Sequence, residues 1–169
     1  QGNEEQDVAG SVGVATSSRL LATDVVPCSG RQVAWRCPCF GGAAVLRRLV
    51  DDADLLVRAA ALAAAGQLGG AGGLTAAAIG ALADPAWQVR EGAAKALGAA
   101  DPEVAVPALT DATRDANLDV RRAAVRSLAG WVHRADVVAV LRSVAADPDA
   151  DVRAYARRAL AADTAGAGR

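Results

Sequence analysis

From Gly42 onward, apolar residues recur at helical spacing, in short runs separated by polar or turn-forming residues. Around Val120, the positions three, four, seven and eight residues later hold Ala123, Ala124, Ser127 and Leu128, on the same side of a helix as the valine. A similar stripe follows Val57, Val89 and Val152, and these valines are spaced 32, 31 and 32 residues apart. A second stripe precedes each one. Eleven residues before the valines stand Leu46, Ala78, Leu109 and Leu141, and fourteen before stand Ala43, Thr75, Val106 and Val138. Each unit therefore reads as a first helix, a short turn and a second helix. The expected pairs are 43–50 with 53–66, 73–82 with 85–99, 102–113 with 116–130, and 135–145 with 148–162. A fixed period of this length marks a solenoid, whose units bury their apolar faces on their neighbours. The expected fold class is all-α: an α-solenoid of about four helix pairs over residues 42–169, behind an irregular N-terminal segment over 1–41.

The polar residues repeat as well. Asp52, Asp84, Asp115 and Asp147 stand five residues before the valines, and Arg58, Arg90, Arg121 and Arg153 directly after them. Each Asp is expected to cap the second helix, its carboxylate accepting from the free N–H groups of the first turn. Pro85 and Pro148 follow at once, where the first helical position tolerates proline, and Asp101-Pro102 opens a first helix in the same way. The whole skeleton is Asp, four residues, Val-Arg, two residues, Ala, two residues, Ala-Leu. It is complete over 84–97 and 147–160, has Ser127 for the second Ala over 115–128, and is degraded in the copy that begins at Asp52.

This skeleton resembles the HEAT-repeat family, in its short bacterial PBS-lyase HEAT-like form, over about residues 42–163. Tetratricopeptide and ankyrin repeats have nearby periods, but their aromatic and Thr-Pro-Leu-His signatures are missing. The resemblance implies an Asp–Arg ladder between adjacent repeats and a non-enzymatic scaffold that binds a protein or peptide on a concave face lined by second helices. It also implies two alternatives. One is an accessory domain of an iron–sulfur or flavin oxidoreductase; the other is a bilin-lyase-like subunit.

Composition narrows the chemistry. Ala, Val and Leu dominate the apolar residues, so the helices are expected to pack closely. A formal net charge of −1 calls for neither nucleic acid nor an anionic membrane. No run of about 18 apolar residues suggests a membrane span. No basic stretch followed by an apolar one opens the chain, so the expected location is cytoplasmic. Lys95 is the single lysine among many arginines, which suits a GC-rich bacterial gene.

The sixth position after each valine holds Ala63, Lys95, Arg126 and Arg158, with Arg122 and Arg157 nearby. Stacked second helices would gather these cations into a basic ridge that suits a partner with acidic groups. Trp131, at the end of a second helix, could line the same groove. Lys95, Arg122, Arg126, Trp131, Arg157 and Arg158 are therefore the candidate partner-binding residues. Trp87 shares a column with Leu55, Leu118 and Ala150, and is expected in the core or between repeats. No catalytic arrangement stands out, His133 is the single histidine, and no cofactor is expected. Cys28, Cys37 and Cys39 all precede the repeats. They read as reduced thiols, or as a disulfide if the protein is exported. A metal site is the alternative reading, and it would need ligands from elsewhere. In the same segment, 20–26 and 32–36 suit short strands.

Overall fold

A computed structural model describes residues 42–67 and 73–167 of the chain. The expectations for residues 1–41, the three cysteines and short strands included, lie outside the described residues. Gly42–Arg169 belongs to one compact unit. Its described residues form helices and no strands: α1 (Gly42–Leu49), α2 (Leu55–Gln67), α3 (Thr75–Ala81), α4 (Trp87–Leu97), α5 (Pro102–Ala112), α6 (Leu118–Leu128), α7 (Ala135–Val144) and α8 (Ala150–Ala167). A single 3₁₀ turn over Ala129–Trp131 joins α6 to α7. These are four antiparallel-type helix pairs in series, the α-solenoid expected from the period. None of the described helices is long and apolar enough to cross a membrane.

The second helices form a continuous layer, α2 on α4, α4 on α6 and α6 on α8, with each first helix packed on its own partner. Small residues allow this. Ala61, Ala93, Ala124 and Ala156, four residues after the valines, are all buried. A side chain at Gly92 would place its Cβ 2.7 Å from the Ala59 carbonyl oxygen of α2, so α2 and α4 meet backbone to backbone there. Leu97, Leu128, Val89, Val120 and Val152 fill the layer and are fully buried. One buried column was not part of the expected stripe. Leu62, Ala94 and Val125, five residues after the valines, are 0% exposed, because the following repeat covers that flank of α2, α4 and α6. The last residue of that column, Arg157, is exposed on α8. Trp87 is 37% exposed and lies at the N-terminal edge of α4, not in the core.

The turns before the second helices correct the capping expectation. α2, α4, α6 and α8 start three residues after the repeated Asp, so Pro85 and Pro148 lie in the turn and not at the first helical position. The Asp carboxylates instead close the turn itself. Asp52, Asp84, Asp115 and Asp147 accept from the backbone N–H of the residue two further on, at 2.7–2.8 Å. That residue is the cap where it can be: Asp54, Asn117 and Asp149 accept from Leu56, Asp119 and Asp151 N–H groups. Asp101 caps α5 as expected, accepting from Glu103 with Pro102 at the helix start.

Each repeated Arg holds its own turn and, where another repeat follows, the next turn as well. Its Nη1 donates to the two carbonyls that open its own turn, as Arg90 does to Asp84 at 2.9 Å and Pro85 at 3.1 Å. Its other nitrogens reach the Asp of the next repeat: Arg58 to Asp84 at 3.1 Å, Arg90 to Asp115 at 2.7 Å and Arg121 to Asp147 at 3.1 Å. This is the ladder implied by the family resemblance. The hydrogen bond from Arg90 holds the Asp115 carboxyl below the usual carboxylate range, against the opposing effect of burial. The same bond holds the Arg90 guanidinium above its usual value.

Candidate functional site

With their apolar flanks consumed by neighbours, the second helices keep one side open. An open groove of about 750 Å³ runs across α2, α4, α6 and α8. Small residues line one stretch of it: Ala63, Gly66, Gly98 and Ala99. Charged residues line the other: Glu91, Lys95, Asp119, Arg122 and Arg126, with Tyr155 beside them. Ser127 is also part of the lining, and its hydroxyl donates to the Ala94 carbonyl at 2.8 Å, tying α6 to α4. This bond explains the one Ser in a column otherwise filled by Ala.

The six candidate residues fall into three groups. Lys95, Arg122 and Arg126 line the groove together. Arg158 lies outside that lining but joins Arg126 at the Tyr155 ring, with guanidinium carbons 5.8 Å (Arg126) and 5.6 Å (Arg158) from its centroid. Trp131 and Arg157 lie elsewhere. Trp131 is half-buried in the 3₁₀ turn and packs against the core. Arg157 donates to the Ala145 carbonyl at the end of α7, at 3.3 Å.

The cations of the groove are not equivalent. Lys95 is held by Glu91, four residues earlier on α4, at 2.6 Å. Arg122 sits between Asp119 at 3.5 Å and Asp151 at 3.2 Å. Three lining cations thus face two lining carboxylates, and the surface is a mixed one in place of a uniform basic ridge. Among the described residues Arg126 and Arg158 pair with no carboxylate. Among these residues no group of three or more His, Cys, Asp or Glu is placed to hold a metal ion.

The model of the HEAT-repeat family matches residues 74–161, from the start of the second helix pair to the body of α8. The chain belongs to the HEAT-repeat family. The first pair lies outside the matched span, yet Arg58 joins it to the HEAT repeats by the same contact with Asp84. HEAT repeats generally serve as protein-interaction scaffolds. Comparison with curated proteins gives no match.

Tyr155 is a groove residue that the sequence candidates do not include. Its column holds Ala60, Gly92 and Ala123, so one large aromatic among small residues was the available signal. The small column exists because it faces the preceding repeat at close range, as Gly92 does against Ala59. At α8 the tyrosine is half-buried and reaches the groove.

Proposed function

We propose that this HEAT-repeat chain is a non-enzymatic scaffold that binds a protein or peptide segment with acidic groups in the groove across its second helices. The observation that carries this reading is the composition of the groove wall. Small residues give a flat floor along α2 and α4, while Arg126 adds a cation that no carboxylate of the described residues neutralises. A partner can lie against the floor and answer the charge without displacing an internal ion pair. Charge complementarity of this kind acts mainly on association rate and specificity.

Site-specific cross-linking tests it. A photoreactive residue replaces Ala63 or Ala99 in the groove, or exposed Val104 or Ala139 on the first helices. The expected result is adducts from the groove positions that disappear as salt is raised, with none specific to the first helices. Adducts confined to Val104 or Ala139 would move the binding surface to the opposite helices.

A further inference from the structure

We propose that Arg126, Tyr155 and Arg158 form a subsite for one carboxylate, presented by an acidic side chain of a peptide lying in the groove. The proposal rests on the groove being a peptide-binding surface. Arg126 on α6 and Arg158 on α8 both approach the Tyr155 ring, at 5.8 and 5.6 Å from its centroid. Lys95, their equivalent on α4, is answered by Glu91 four residues earlier. The places equivalent to Glu91 hold Arg122 on α6 and Ala154 on α8, so neither arginine meets an acid on its own helix. Asp119 and Asp151, one residue before the valines of α6 and α8, are engaged by Arg122.

Two guanidinium groups gathered on one ring repel each other. The electron-rich face of the ring offsets part of that repulsion, and a bound anion offsets the rest. A guanidinium fork matches a carboxylate with two parallel hydrogen bonds, which an ammonium cannot do. The Tyr155 hydroxyl forms no hydrogen bond with another described residue and supplies one more donor. From Arg126 the groove continues to Gly98, Ala99, Ala63 and Gly66. An extended chain can pass along these small residues with its carboxylate projecting from the side.

The probe is a random library of ten-residue peptides, amidated at the C-terminus and selected on the full chain carrying the cross-linker at Ala99. Enriched peptides are expected to carry Asp or Glu at one position. Exchanging that Glu for Gln should weaken binding about ten-fold. The double variant Arg126→Gln, Arg158→Gln should bind the Glu and Gln peptides alike, while Arg142→Gln, exposed on α7 and outside the groove lining, keeps the discrimination. Thermal melts of the variants show that folding is intact, and the Glu–Gln comparison on the unaltered chain stands without them. Peptides that cross-link at Ala99 with no acidic preference would overturn the subsite and leave the groove reading standing. Binding seen solely in a second library with free C-termini would assign the anion to a chain end and overturn the side-chain proposal. Failure of both libraries to bind would overturn the subsite together with the groove.

Discussion

Two glycines show how far one methyl group can act in opposite directions. Gly92 lies where α4 touches α2, and a Cβ there would sit 2.7 Å from a backbone oxygen that has no rotamer to change. Gly80, in α3, has nothing within 4 Å of the same position. Alanine is favoured over glycine inside a helix by about 1 kcal/mol. At position 80 that gain is free of opposition, so Gly80→Ala should stabilise the fold by roughly 0.5–1 kcal/mol. At position 92 the two helices must part, and overpacking of this kind costs about 1–3 kcal/mol. Gly92→Ala should therefore be less stable than the parent despite its better propensity. Urea unfolding of the two variants checks the sign; equal stabilisation would mean that α2 and α4 are farther apart than described.

At the scale of an element, the turn before each second helix is a joint between repeats. Its Asp closes the turn and its Arg satisfies the two opening carbonyls, which would otherwise lack partners where the helix has not yet begun. The middle rung, Arg90 with Asp115, gives a pH prediction. The folded carboxyl of Asp115 lies below its ordinary value of about 3.9, so the contribution is fully present above that value. It is lost as pH falls through the lower folded value. Asp115→Asn keeps the turn acceptor and weakens the charged bond, which should cost about 1–3 kcal/mol near pH 7. The loss should shrink toward zero on acidification. Denaturation midpoints between pH 7 and pH 2 measure it, and a loss that stays constant below pH 4 would show that the rung acts by packing alone.

At the scale of the whole molecule, stability resides in the interfaces between repeats. Val125, fully buried, stands in the column that faces the following pair, and Arg121 has its carboxylate partner in Asp147 of that pair. Deleting residues 133–169 removes α7 and α8 and leaves both without cover. The expected outcome is loss of a single cooperative melt, or aggregation, followed by circular dichroism and light scattering. A truncated chain that melts like the intact one would show that α8 contributes little to α6. The groove carries a separate prediction at this scale. Lys95→Gln frees Glu91 without touching the core, so the melt should change by less than about 0.5 kcal/mol, because exposed pairs contribute little.

The number of helix pairs, their period and the residues of the valine and alanine columns were legible in the chain because burial imposes the same choice at every repeat. The Asp and Arg columns were legible for the same reason, since they recur in step with Val57, Val89, Val120 and Val152, while their pairing across repeats was implied by the family resemblance. Three features depended on the folded geometry, one within a turn and two between segments far apart in sequence. The helices begin two residues later than their pattern suggests, because Arg58, Arg90, Arg121 and Arg153 draw the preceding carbonyls out of the helix. The column of Leu62, Ala94 and Val125 is buried because the following repeat covers it, which a single amphipathic stripe does not reveal. The cations share one period but differ in state, since Glu91 neutralises Lys95 while Tyr155, on α8, gathers Arg126 and Arg158. Periodicity sets which residues can meet along a solenoid; the distances between stacked helices decide which charges are left for a partner.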